Sequence, residues 1–139
     1  MIYKYISRLA NRQRRLIDRL ARDKDYSGTE GKVIHFLFEN QDRTVYQKQI
    51  ESVFGLRAST ATQVIASLEQ AGLIRRVPSK ADGRYKEIVL TEKAGQYKQD
   101  VYSDMERLKE QITRGIDPGQ LQLWVEITEK MIRNMEDEA

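Results

Sequence analysis

Apolar positions in the first twenty residues fall into a helical seam. Ile2, Ile6, Leu9, Gln13, Leu16 and Leu20 are spaced four, three, four, three and four apart, which sets them all on one side of an α-helix. Polar Gln13 interrupts the seam, and a polar residue there either fixes register in a helix pair or breaks the stripe towards solvent. A second helix is predicted from Ser27. Its side chain and that of Glu30, three residues on, make a capping signature ahead of Val33, Ile34, Phe36, Leu37 and Phe38.

Helical spacing returns in the last third of the chain. Thr91 is a predicted cap, and Ala94, Tyr97, Val101, Met105, Leu108 and Ile112 then recur at threes and fours, which implies one helix of about twenty residues. Asp117 before Pro118 marks another helix start, followed by a stripe of Leu121, Trp124, Val125, Thr128, Ile132 and Met135. Both ends therefore carry more apolar helical face than the middle can cover. A helical dimer interface is predicted, with Ile2, Ile6 and Leu9 from one end and Leu121, Trp124, Val125 and Ile132 from the other.

Between these ends the pattern shortens. Residues 47–54 make an amphipathic helix with Ile50, Val53 and Phe54 inward, and Gly55 stops it. Leu56-Arg57-Ala58 turns the chain, and a second helix runs from Ser59 to Ala71 with Ala61, Val64, Ile65 and Leu68 on its apolar side, closing on Gly72. Two short helices joined by a tight turn containing glycine are a helix-turn-helix. The other side of the second helix presents Ser59, Thr62, Gln63 and Ala66. In a major groove Gln63 suits an adenine edge, and Ser59 and Thr62 suit bases or phosphates. A low-charge face buried against protein is the alternative.

The segment after Gly72 favours DNA. Residues 73–77 and 85–90 are strand-like and flank Pro78-Ser79-Lys80-Ala81-Asp82-Gly83-Arg84, a hairpin tip carrying cations. A basic hairpin directly after a recognition helix is a wing. Lys80 and Arg84 at its tip suit the negative potential of an adjacent narrow groove, and Asp82 is placed to accept the Arg84 guanidinium.

Charge and composition narrow the classes further. The chain has 139 residues and a net charge of +3, but residues 1–90 hold 17 Lys/Arg against 10 Asp/Glu while residues 91–139 hold 7 against 11. The basic part suits a polyanion. No cysteine occurs, which excludes a disulfide framework, a thiolate zinc site and a thiol-based sensor, and fits a reducing compartment. There is no apolar run long enough for a membrane span and no signal-peptide core at the start, so a cytoplasmic protein without membrane contact is expected. Nothing assembles a catalytic constellation, since no Gly-rich phosphate loop, serine elbow, cysteine nucleophile or paired-histidine motif is present. A binding protein without enzyme activity or cofactor is therefore expected. The rival reading within that class is a winged helix that assembles with proteins, which steep salt dependence of binding would separate from DNA recognition.

Gly55-Leu56 before Ser59-Thr60-Ala61-Thr62-Gln63, then residues 68–76, then Asp82-Gly83-Arg84 followed by Leu90-Thr91, together resemble the MarR family of bacterial transcription regulators. The resemblance implies a winged helix-turn-helix fold with six helices, an obligate dimer through the first and last helices, and a pseudo-palindromic double-stranded operator. It also implies release of DNA when a small-molecule effector alters the spacing of the two recognition helices. It gives the wing pair as Asp82 and Arg84 and the recognition contacts as Ser59, Thr60, Thr62 and Gln63. Three positions depart from the family pattern. Arg57 replaces a short capping residue, which would leave capping to Ser59 and free Arg57 for phosphate. Gln63 stands where arginine is frequent, shifting preference from guanine towards adenine. Gly31 replaces a bulky aromatic and would leave space near the usual effector region.

The resulting expectation is a mainly α fold with a small β-hairpin: one domain over 1–139, a winged helix-turn-helix at 26–91, and helical dimerisation parts at 1–22 and 92–139. Arg57, Ser59, Thr60, Thr62 and Gln63 are the recognition-helix candidates, Lys80, Asp82, Arg84 and Lys86 those of the wing, and Gln47 and Lys48 those for the DNA backbone. His35, the only histidine, is expected as a packed or partly exposed helix residue, with no metal. Tyr3, Tyr5, Tyr26, Tyr97, Tyr102 and Trp124 either line an effector pocket or fill core and interface.

Overall fold

The computed structural model describes residues 1–136, in the order α1 (Ile2–Leu20), α2 (Gly28–Glu39), α3 (Gln47–Phe54), α4 (Ala58–Gln70), β1 (Ile74–Pro78), β2 (Lys86–Leu90), α5 (Lys98–Thr113) and α6 (Pro118–Glu136). The C-terminal dimerisation part assigned from sequence extends to 139, so its residues 137–139 lie outside the described ones. The fold is mainly helical, with one antiparallel hairpin, as the pattern predicts. Two compact units divide the chain, Met1–Leu108 and the segment from Lys109 onward.

In the first unit the seam of α1 splits. Leu16 and Ile17 are buried with Leu108, and Leu20 and Met105 pack against them, whereas Ile2, Ile6 and Leu9 stay exposed. Gly28 lets α2 start against α1, because a Cβ there would lie 2.2 Å from Ile17 Cγ2. The predicted capping box forms, with Glu30 N donating to Ser27 Oγ and Ser27 N donating to Glu30 Oε1. From α2, Val33, Ile34 and Leu37 enter a core with Ile50, Ile65, Leu68, Ile74, Ile88 and Val101, one contribution or more from each of α2 to α5 and both strands. Such shared burial orients the helix-turn-helix and its hairpin as one body.

Four local expectations change. Val53 is 53% exposed rather than inward; Ile50 and Phe54 already occupy the core side of this short helix, and Val53 lies a residue off it. Capping at α4 does not fall to Ser59: the backbone leaves the extended region at Arg57 (φ −69°, ψ 152°), Ala58 is already helical, and no side chain caps the end. The long C-terminal helix begins later than predicted, since Lys93–Tyr97 winds as a tighter 3-10 helix before α5. Gly95 weakens α-helical preference in that turn. Thr91 does act as a cap, accepting from Ala94 N at 3.3 Å while its hydroxyl donates to Gly72 O at 2.6 Å. Finally, Gly31 opens no space, because the Tyr26 ring lies 3.0 Å from where its Cβ would be.

That ring belongs to a clasp between the α1–α2 loop and the helix that follows the wing. Lys24 pairs with Asp100 at 3.6 Å, the Tyr97 hydroxyl donates to Asp25 at 3.0 Å, and the Tyr26 hydroxyl donates to Asp104 at 3.0 Å. Tyr26 also meets Tyr97 edge-on, with centroids 6.1 Å apart. Asp104 is only 3% exposed, so its hydrogen bond is what makes its burial tolerable. Burial together with the Asp104 carboxylate pushes the Tyr26 hydroxyl well above the ordinary tyrosine range. His35 packs edge-on against Tyr102, with Glu39 3.5 Å from its Nε2.

In the second unit, Gly115 takes a positive φ of 76° at the turn. Asp117 Oδ2 then accepts from Gly119 N and Gln120 N, the cap expected ahead of Pro118. No residue of α6 is buried. Trp124 is 52% exposed, and Val125, Ile132 and two residues outside the predicted stripe, Leu123 and Ile127, are exposed with it.

Candidate nucleic-acid interface

α3 and α4 form the helix-turn-helix around Gly55, whose φ of 62° puts it in the left-handed region that favours glycine. Leu56 N donates back to Glu51 O at 2.9 Å and closes the turn. α4 buries Ala61, Ile65 and Leu68 and exposes Ser59, Thr60, Thr62, Gln63 and Ala66. Its seat is fixed from two sides. Glu30 Oε2 accepts from Ser67 Oγ at 2.8 Å, and Glu69 pairs with Arg76 of β1 at 2.9 Å. The Arg76 guanidinium holds the Glu69 carboxyl below its ordinary range.

Two of the predicted contacts are engaged with one another. Gln47 Nε2 donates to Thr62 Oγ1 at 2.9 Å, and Thr62 Oγ1 donates to Ala58 O at 2.8 Å. Ser59, Thr60 and Gln63 have no such tie among the side-chain hydrogen bonds of the described residues. Arg57 is exposed at the head of the helix, beside the turn.

The hairpin pairs Ile74 with Leu90 at its base and Pro78 with Lys86 at its far end. Beyond that, Ser79 N donates to Tyr85 O and Tyr85 N donates to Asp82 O, which closes a tight tip. Asp82 and Arg84 meet as predicted: Arg84 Nε lies 3.0 Å from Oδ1 and Nη2 lies 2.7 Å from Oδ2, a two-pronged ion pair. It lowers the Asp82 carboxyl and raises the Arg84 guanidinium. Lys80 and Lys86 are exposed on the same hairpin.

Sequence reasoning missed the residues that join the wing to α3. Tyr46, at the N-cap of α3, shares a 2.6 Å hydrogen bond with buried Ser79, and Gln49 Oε1 accepts from Tyr46 N. Ile88 N donates to Val45 O at 2.8 Å. A recess of about 670 Å³ lies between the start of α3 and the hairpin, and it gathers Gln47, Lys48, Arg84 and Lys86 with Tyr46, Arg76 and Tyr85. The missed signal was a tyrosine just before a polar helix start and a serine beside Pro78, neither of which periodicity reveals. The recess can receive an anionic chain, with backbone N–H groups at the start of α3 adding to its cations.

The same order of helices and hairpin occurs in known proteins. The sequence profile of the MarR family matches residues 24–84. The crystal structure of the transcription regulator MarR from Oenococcus oeni superposes with a TM-score of 0.84 at 28% identity, covering 96% of this chain and 99% of that one. The chain shares the winged-helix fold of these regulators and is similar to the MarR family over residues 24–84. Two further solved structures match in fold at 18% identity and a TM-score of 0.82: MepR of S. aureus, in a complex with DNA, covering 96% of each chain, and CouR of Rhodococcus jostii, bound to p-coumaroyl-CoA, covering 94% of this chain and 90% of that one. No described helix of this chain is long and apolar enough to cross a membrane.

Proposed function

We propose that this protein is a dimeric, sequence-specific DNA-binding transcription regulator of the cytoplasm, a repressor that a small-molecule effector releases. The observation that carries the reading is the exposed face of α4, free of Lys and Glu along Ser59, Thr62, Gln63 and Ala66, beside a hairpin with a braced arginine. Small polar side chains let a helix enter a major groove, and the cations hold the backbone on either side. Gln63 reads an adenine edge, Ser59 and Thr60 bond nearby bases or phosphates, and Thr62 supports the helix through Gln47. Arg57, Gln47 and Lys48 meet the backbone, while Lys80, Arg84 and Lys86 follow the flanking groove, with Asp82 aiming Arg84.

Two copies pair through the exposed apolar residues of α1 (Ile2, Ile6, Leu9) and α6 (Trp124, Val125, Ile132), together with half-buried Leu121. Solvated apolar area on this scale favours association. The pair would set two recognition helices about 34–36 Å apart, one turn of a pseudo-palindromic duplex. An effector favouring another spacing would release it. The DNA complex of MepR and the ligand complex of CouR support both halves of this reading by similarity.

Selection of bound sites from random duplexes, followed by mobility shifts, tests it. A palindrome should emerge, Arg84→Ala should weaken binding to every sequence, and Gln63→Ala should relax preference at one base pair. Wild-type affinity in both variants would sink the assignment. Light scattering that finds a stable monomer at micromolar concentration would remove the dimer.

A further inference from the structure

The positive charge of this chain is concentrated away from its DNA-reading elements. Residues 1–25 hold eight Lys/Arg against three Asp/Glu, whereas residues 26–90, with the helix-turn-helix and wing, hold nine against seven. Within that second stretch Arg76 and Arg84 are already paired with carboxylates. The excess lies on α1. Lys4, Arg8, Arg12, Arg15 and Arg19 are spaced four, four, three and four apart. At 100° and 1.5 Å per residue they form a stripe about 22 Å long, turned roughly 125° from the seam of Ile2, Ile6 and Leu9.

All five cations are exposed, and none is within ion-pair distance of a carboxylate among the described residues. Asp18, the sole acid of α1, is turned elsewhere. Its Oδ1 lies beside Gly28 at the start of α2, and its charge acts on Lys32. Lys4 and Arg8, Arg8 and Arg12, and Arg15 and Arg19 are like-charge neighbours one turn apart, an arrangement that weakens a helix until an anion lies along it.

We propose that this stripe binds the phosphate backbone of duplex DNA outside the contacts made by α4 and the wing. The choice of duplex DNA rests on the function proposed above; the stripe itself does not. A membrane surface fits less well, because a helix lying in lipid needs its apolar side open along its length. Here Leu16 and Ile17 are buried, yet the cations continue to Arg19. A second copy also fits less well. Its α6 mixes Glu126, Glu129 and Glu136 with Lys130 and Arg133, and Glu129 already lies 3.9 Å from Arg133, so no continuous acidic stripe faces the arginines. Duplex DNA offers one charge per about 1.7 Å of axis, more than enough for every cation on the stripe. Phosphate contacts carry no sequence information. The stripe therefore adds affinity for any duplex and steepens salt dependence.

The test uses the full chain with Arg8→Gln, Arg12→Gln, Arg15→Gln and Arg19→Gln together, titrated by fluorescence anisotropy on a random-sequence duplex of about 30 base pairs between about 50 and 200 mM salt. The slope of log Kd against log salt should become shallower by about 3–4, with base preference in selected sites unchanged. The same four positions changed to lysine should restore the slope. If the glutamine variant fails to fold, Arg8→Gln with Arg12→Gln alone should give about half the change.

An unchanged slope in a folded variant overturns the proposal, as does loss of the dimer with the slope retained, which would assign the stripe to self-association. Pelleting of wild type on phosphatidylserine vesicles, lost in a variant whose DNA slope is normal, overturns it in favour of lipid. Gln63→Ala and Arg84→Ala run in parallel separate the two readings. If they bind as wild type while the glutamine variant loses slope, the stripe stands and the operator reading falls.

Discussion

Gln47 at the start of α3 donates to Thr62 on α4 across 2.9 Å. The bond crosses the turn of the helix-turn-helix and braces α3 against α4. Thr62 also gives its proton to Ala58 O, so both functions of its hydroxyl are in use. Thr62→Val keeps the shape and removes both bonds. It should cost about 1 kcal/mol by chemical denaturation and weaken DNA binding evenly, with base preference retained in site selection. A changed preference at one base pair would return Thr62 to the reading residues.

Gly28→Ala introduces a methyl where Ile17 Cγ2 and the Ile17 backbone leave no room. Overpacking of this kind costs about 1–3 kcal/mol. The thermal midpoint should fall by several degrees, and Gly83→Ala, which meets nothing within 4 Å, serves as the neutral control.

Tyr26→Phe removes the hydroxyl that donates to buried Asp104. A buried acceptor left without its partner costs about 1–3 kcal/mol, measured by urea unfolding. The same pair sets an alkaline limit. The Tyr26 hydroxyl titrates higher in the folded chain than in the unfolded one, so its contribution is complete below about pH 10 and is lost as pH rises beyond it. Unfolding free energy should decline above that point in wild type and decline less in Tyr26→Phe.

At the acid end the sign reverses. Asp82 and Glu69 are both held below their ordinary range by arginines, so the two ion pairs contribute above about pH 4 and are lost as pH falls through the lowered values. An NMR titration of the Asp82 side-chain carboxyl should show a midpoint below that of an unpaired aspartate, and Arg84→Ala should move it up towards the ordinary range, with the backbone N–H of residue 84 still lowering it.

Most of the helical outline was legible because each element announces itself locally. Ser27 with Glu30, Gly55 and Asp117-Pro118 are terminal signals whose hydrogen bonds need no distant partner, and each forms as read. Failures came where packing decides. Val53 has the apolar character of a core residue, but an eight-residue helix has room for few inward positions. At the end of the tighter turn Lys93–Tyr97, the Tyr97 hydroxyl finds Asp25 seventy-two residues earlier in the chain, a partner no local pattern reveals. Asp104 escaped the pattern, whose stripe runs through Val101, Met105 and Leu108, because its buried bond joins it to Tyr26, seventy-eight residues earlier. In the candidate interface, the Asp82–Arg84 pair was readable because its members are two residues apart. Tyr46 and Ser79 were not, being thirty-three apart and joined only by the fold.

The three consecutive residues Lys24, Asp25 and Tyr26 each hold a different residue of the segment 97–104, spread over successive turns. A single bond would leave a swivel. Three at staggered heights act like a key in a slotted shaft, holding the segment that leads into α2 against the start of α5 at more than one level.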